Sequence, residues 1–147
     1  MSPSFEDTVR FIQQAHHGQT DKQGVEYWKH PVQVAGIVAT MFNGTEDEKL
    51  AALLHDVTED TDYTLEDLQG MGFSPTTLEI VWWMDKANNR GTYLERIEYM
   101  AMKAPVGALK VKYADNLSNM RKGVTDSLKK RYERSMEILG AALEARG

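Results

Sequence analysis

Three observations predict an all-α fold for residues 1–147, a single domain of about seven or eight helices. Apolar residues recur at three-and-four spacing along most of the chain, no stretch alternates polar and apolar residues as a half-buried strand would, and glycine and proline fall between the periodic segments. The chain has 147 residues, 41% of them hydrophobic, without internal repeats or low-complexity tracts. That suits one globular core.

The elements follow in order. Ser4 offers an N-cap and Glu6 and Asp7 an acidic first turn before Val9, Ile12 and Ala15, with Gly18 as the stop. His30-Pro31 places proline in a first turn ahead of Val34, Ile37, Val38 and Met41, and Gly44 closes that helix. Thr45 with Glu48 is a capping box opening a helix through Leu50, Leu53, Leu54 and Val57. Thr64 with Asp67 starts a short helix, and Ser74-Pro75 opens one through Leu78, Val81 and Trp82. Thr92 opens another with Leu94, Ile97 and Met100, Pro105 one ending near Met120, and Asp126 the last, striped by Leu128, Tyr132 and Leu139. Gly70, Gly72, Gly91 and Gly123 fall in the breaks.

Composition excludes several classes. With no cysteine there is neither a disulfide framework nor a thiolate metal site, so any metal must be held by His, carboxylate, carbonyl or water. The longest apolar runs fall far short of the roughly 20 residues needed to cross a bilayer, so no membrane partner is expected. No secretory signal is visible at the N-terminus, and a cytoplasmic location is the default. Seventeen Lys+Arg against 22 Asp+Glu give a formal net charge of −5, which argues against nucleic acid as a partner. An anionic small molecule would have to be attracted by a local cluster of cations or by metal ions.

The informative stretch is Leu53-Leu54-His55-Asp56-Val57-Thr58-Glu59-Asp60-Thr61, where an apolar helix turns abruptly polar. On a continuous helix His55 and Glu59 are i,i+4 neighbours, as are Asp56 and Asp60, so an imidazole and three carboxylates share about one and a half turns. Acidic groups at a helix C-terminus are unfavourable alone, which calls for a cation nearby. His30, before the Val34/Ile37/Val38 face, and Asp115, in Tyr113-Ala114-Asp115-Asn116-Leu117, are further candidate ligands bracketed by core-type residues. His30, His55, Asp56 and Asp115 make a two-His, two-Asp set from three helices that suits Mn²⁺ or a similar divalent ion, with zinc and Fe²⁺ also compatible with these ligands.

On Ala15-His16-His17-Gly18-Gln19, His30-Pro31, His55-Asp56-Val57-Thr58-Glu59-Asp60-Thr61 and Tyr113 to Met120, the chain resembles the HD-domain phosphohydrolases. Within them it is similar to the hydrolase domain of the RelA/SpoT alarmone enzymes and to the stand-alone small alarmone hydrolases. The resemblance implies that His30, His55, Asp56 and Asp115 hold one metal ion, typically Mn²⁺, and that Glu59 and Asp60 position and deprotonate the attacking water. It also implies that Lys22 contacts substrate phosphate and Asn119 lines a nucleoside pocket. The implied reaction removes the 3′-pyrophosphate of guanosine tetra- or pentaphosphate, giving GDP or GTP and pyrophosphate.

Two positions depart from the family pattern. The usual Arg-Lys pair, whose arginine meets guanine, is Asp21-Lys22 here, and the usual arginine and histidine after the last metal aspartate are Asn116 and Ser118. Phosphate contacts would then fall to cations such as Lys29, Lys86, Arg90, Lys110, Lys112 or Arg121, each of which has solvated surface charge as its ordinary reading. The same departures keep open an HD-domain phosphatase of the NADPH 2′-phosphate, a 5′-deoxynucleotidase, or a non-catalytic nucleotide-binding protein. Trp82-Trp83 is expected to pack in the core, His16 to sit beside the site as readily as away from it, and Lys129 to Arg134 to form a solvated basic face.

Overall fold

The computed structural model describes residues 2–147. The helices are α1 (Phe5–Ala15), α2 (Lys29–Phe42), α3 (Glu46–Leu54), α4 (Val57–Asp60), α5 (Leu65–Gly70), α6 (Pro75–Met84), α7 (Tyr93–Lys103), α8 (Val106–Met120) and α9 (Asp126–Arg146), with a 3₁₀ turn at Lys86–Asn88. The only extended pairing among the described residues is an isolated antiparallel bridge between Thr20 and Glu26.

Local chemistry accounts for the helix starts. Ser4/Asp7, Thr45/Glu48, Thr64/Asp67 and Thr92/Glu95 all form reciprocal capping boxes, and Ser74 caps α6 with Pro75 in its first turn. α2 begins slightly before His30-Pro31, without a side-chain cap on Trp28.

One expected helix is broken. The segment from Thr45 through Val57 runs as α3 to Leu54 and restarts as the single turn α4, with Asp56 at φ −105°, ψ 0° between them. The His55 ring helps explain the break: Nδ1 lies 2.7 Å from the Ala52 carbonyl, which also receives the His55 amide in a 3₁₀-type contact. Glu59 and Asp60 therefore belong to a short new turn rather than to the end of a long dipole.

α3 is the central helix. Leu50, Ala51, Ala52, Leu53 and Leu54 are all buried, because α1, α2, α6 and α8 pack around it. Each leucine removed from water there stabilises the fold by about 1.5–3 kcal/mol. Val34, Ala35, Ile37 and Val38 of α2 and Ala108, Leu109, Val111 and Ala114 of α8 complete the middle of the core, and α9 closes over α7 and α8. Glu48 ties two of these layers: it caps α3 and accepts from Lys110 Nζ of α8 at 3.2 Å. Lys110 is thereby spent on structure rather than offered to a ligand.

The candidate metal centre and its clefts

Three helices deliver the cluster: the start of α2 and the break after α3 meet the interior of α8. His30 stands at the start of α2, His55 and Asp56 at the break after α3, and Asp115 on α8. The donor atoms of His30, His55 and Asp56 all lie within 4.8 Å of one another. Asp115 Oδ1 is 2.8 Å from His30 Nε2 and 3.3 Å from His55 Nε2, and His55 Nε2 is 3.0 Å from Asp56 Oδ2.

Hydrogen bonding sets the tautomers. Ser118 Oγ donates to Gln33 Oε1 at 2.7 Å, so at 3.1 Å it accepts from His30 Nδ1–H. His55 Nδ1 faces only a carbonyl and must donate to it. With Nδ1 donating, each imidazole turns its Nε2 toward carboxylate oxygens, where a metal ion held between them would find nitrogen and carboxylate ligands together. His55 Nε2 is buried without a hydrogen-bond partner, which fits such a ligand site.

The charges respond to one another. Burial pulls the His55 imidazole down, but the Asp56 and Asp115 carboxylates outweigh it and hold the ring well above its ordinary value. Burial would raise Asp56 and Asp115; His55 reverses that for Asp56, and Lys112, His30 and His55 reverse it for Asp115, so both lie below the usual carboxylate range. Burial and then the Asp56 charge push Glu59 and Asp60 up.

Tyr27 was not legible as a site residue. Its hydroxyl donates to Asp56 Oδ2, and burial followed by the Asp56 charge pushes its own ionisation up, so the proton stays on the phenol. His16 stands just behind it: its ring centroid is 5.1 Å from that of Tyr27, and its Nδ1 lies 2.9 Å from Gln19 Oε1. Gln19 Nε2 in turn donates to the Asp60 carbonyl at 3.0 Å, so His16 lies beside the site.

Three clefts border the cluster: one of about 280 Å³ beside His30, with Lys29, Arg121 and Lys122, and two that reach its aspartates. The larger, about 450 Å³, is lined among others by Lys22, Tyr27, Asn119, Leu128 and Tyr132. Tyr27 bonds Asp56, and Asn119 Nδ2 reaches Asp115 Oδ1 at 3.4 Å, so this cleft opens onto both aspartates. The smaller, about 200 Å³, is bordered by Glu59, Trp83, Lys86, Tyr93, Arg96 and Lys112. Lys112 Nζ lies 3.5 Å from Asp115 Oδ2, linking this cleft to the same centre.

The other candidates sort by position. Asp60 is exposed and Glu59 half-buried at the rim of the smaller cleft. Asp21 Oδ1 accepts from the amides of Gln23 (2.8 Å) and Val25 (3.0 Å), shaping the loop that carries Lys22. Asn116 is fully buried, bonded to Tyr93 Oη and Ser135 Oγ at 2.6 and 2.5 Å, and braces α8 against α7 and α9. Trp83 packs against the core, as expected, while also reaching a cleft wall, whereas Trp82 is 38% exposed and meets Trp83 edge to face. Lys129 to Arg134 form an exposed face apart from half-buried Tyr132.

A family model described as an HD domain matches residues 8–143. The chain belongs to the HD-domain family. HD-domain membership implies dependence on a divalent metal, and the His30, His55 and Asp56 group is where this HD domain could hold one. Among its relatives, the bifunctional (p)ppGpp synthase/hydrolase SpoT of Escherichia coli (strain K12) is 36% identical over 131 residues, covering 79% of this chain and 18% of that protein. The guanosine-3′,5′-bis(diphosphate) 3′-pyrophosphohydrolase MESH1 of Danio rerio is 35% identical over 124 residues, covering 78% of this chain and 66% of that one. A solved structure, described as "A metazoan ortholog of SpoT hydrolyzes ppGpp and plays a role in starvation responses", aligns with a TM-score of 0.76 at 29% identity. That alignment covers 100% of this chain and 89% of the other. The HD domain thus spans less than a fifth of its SpoT relative and about two thirds of the fish protein.

Proposed function

We propose that this HD domain hydrolyses the 3′-pyrophosphate of guanosine tetra- or pentaphosphate, with Mn²⁺ at His30, His55, Asp56 and Asp115. The observation that carries the reading is the pair of tautomer-fixed imidazoles whose Nε2 atoms face Asp56 and Asp115, with Glu59 and Asp60 on the next turn. Relatives named as ppGpp 3′-pyrophosphohydrolases support the substrate class.

A divalent ion in that site would supply Lewis-acid polarisation of a phosphoryl oxygen. The chain's own groups do the remaining work. One carboxylate of the Glu59-Asp60 pair accepts a proton from the attacking water while the other orients it, and their upward shift brings the acceptor closer to neutral pH, where a general base acts best. The water oxygen forms a bond to the proximal phosphorus, the bond from phosphorus to O3′ breaks, and O3′ takes a proton, releasing the nucleoside diphosphate and pyrophosphate. Tyr27 holds Asp56 by its hydroxyl, and the larger cleft, with Lys22 and Asn119, receives the nucleoside.

The test is product analysis of ppGpp incubated with Mn²⁺-loaded protein. GDP plus pyrophosphate supports the proposal, and no conversion overturns it. Asp21 favours a second reading, because one of its carboxylate oxygens is occupied by the loop and no arginine stands there to meet guanine. NADPH and a 5′-deoxynucleotide therefore belong in the same assay, where faster turnover of either would shift the substrate. Tight binding without turnover would make the protein a nucleotide-binding relative.

A further inference from the structure

We infer that the small cationic cleft beside Glu59 seats the distal phosphate of a 3′-pyrophosphoryl group, an assignment that rests on the reaction proposed above. In a chain of net charge −5, Lys86, Arg96 and Lys112 converge on one opening of about 200 Å³. Such a concentration of cations against an acidic background marks a place for an anion.

Most of this positive charge is available to a ligand. Among the described residues, neither Lys86 nor Arg96 forms an ion pair with a carboxylate. Arg96 uses one Nη atom on the Gly91 carbonyl at 2.7 Å and lies 5.7 Å from the Tyr93 ring centroid, which orients the guanidinium while leaving its other N–H groups unspent. Lys112 is held between Asp115 at 3.5 Å and the Tyr93 ring at 5.3 Å, which fixes its ammonium at the cleft wall.

Position then selects the phosphate. Of the three clefts that border the cluster, only the smallest is lined by Glu59 and Lys112, whereas the one at His30 carries Asp21 and Glu26 beside its cations. A nucleoside needs the largest of them, at about 450 Å³. With the nucleoside there and the proximal phosphorus at the cluster, the remaining phosphoryl group of the 3′ chain is directed toward the smallest cleft. This cleft therefore favours a 3′-pyrophosphate over a 3′-monophosphate.

Calorimetric titration of the metal-free protein with inorganic pyrophosphate and with orthophosphate reads the cleft without turnover. Pyrophosphate should bind more tightly than orthophosphate, and Lys86→Met and Arg96→Met should each weaken it about tenfold, the scale of one charge-assisted hydrogen bond. Lys130→Met, the same charge change on the exposed face of α9, should leave binding unchanged. No pyrophosphate binding, or equal weakening by Lys130→Met, overturns the assignment. In the Mn²⁺-loaded protein, Lys86→Met should lower kcat/KM for guanosine 5′-monophosphate 3′-diphosphate and spare guanosine 5′-diphosphate 3′-monophosphate. The opposite pattern would place the 5′ chain in the cleft and overturn the assignment. Hydrolysis of ppGpp with unaltered pyrophosphate binding in the variants would sink only the cleft, whereas Lys86-dependent pyrophosphate binding without any guanosine turnover would sink the proposed reaction.

Discussion

Asp115→Asn probes the metal centre from both sides, because Asp115 Oδ1 faces both imidazoles and Oδ2 faces Lys112. The Lys112 side chain is only 17% exposed, so removing its counter-charge leaves a largely buried cation unpaired. Breaking such a pair costs about 3–5 kcal/mol. Relief of the repulsion between Asp115 and Asp56 offsets part of that, which places the metal-free variant near the lower end, about 3 kcal/mol less stable. For a chain of this size that is a fall in Tm of about 10 °C. Mn²⁺ at a hundredfold excess over its Kd should stabilise the parent by about 2.7 kcal/mol, and the variant far less. Thermal unfolding followed by circular dichroism, with EDTA and with Mn²⁺, measures both effects. An unchanged Mn²⁺-dependent rise in Tm would refute coordination by Asp115, and an unchanged metal-free Tm would refute the ion-pair argument. The pH dependence has a definite sign. Asp115, held below the ordinary range, contributes stability above about pH 4 that is lost as pH falls through its lowered pKa. His55, held above 6.5, contributes below that value and loses its contribution as pH rises through its raised pKa. The metal-free penalty of Asp115→Asn is therefore greatest between about pH 4 and 6.5, and Mn²⁺ binding, which needs neutral His55, tightens as pH rises and releases a proton.

Three other substitutions separate the roles of neighbouring residues. Glu59→Gln should retain Mn²⁺ by calorimetry and lose about 10²- to 10⁴-fold in kcat, since it removes a proton acceptor and no proposed ligand; loss of Mn²⁺ affinity would contradict that division. Tyr27→Phe deletes the hydroxyl on Asp56 and should weaken Mn²⁺ binding about 10- to 100-fold with little change in metal-free Tm. Asn116→Ala strips the half-buried Tyr93 and buried Ser135 hydroxyls of a shared partner, which should cost about 1–3 kcal/mol of stability while leaving the KM of the folded protein near the parent value. A large rise in KM instead would return Asn116 to the substrate site.

Helix positions were legible because the signals that set them act over three or four residues. The Ser4, Thr45, Thr64 and Thr92 caps each close on a partner three residues away, so sequence spacing alone locates the helix starts. The metal-type residues were legible for a chemical reason: His30, His55, Asp56 and Asp115 are ionisable groups set among core-forming neighbours, where burial is costly without partners. The break at His55-Asp56 was not legible, because it involves a side chain taking a contact with a backbone carbonyl inside an otherwise helical pattern. Nor were the groups that complete the site. Tyr27 meets Asp56 across 29 residues, Ser118 meets His30 across 88, and Lys110 of α8 meets Glu48 across 62. Sequence alone determined an all-helical chain carrying two candidate histidine ligands, two candidate aspartate ligands and the Glu59-Asp60 pair. Tertiary packing decided which polar residues serve the site, because hydrogen bonds and charges between distant helices depend on how those helices are brought together, and the spacing of residues along one helix does not encode that.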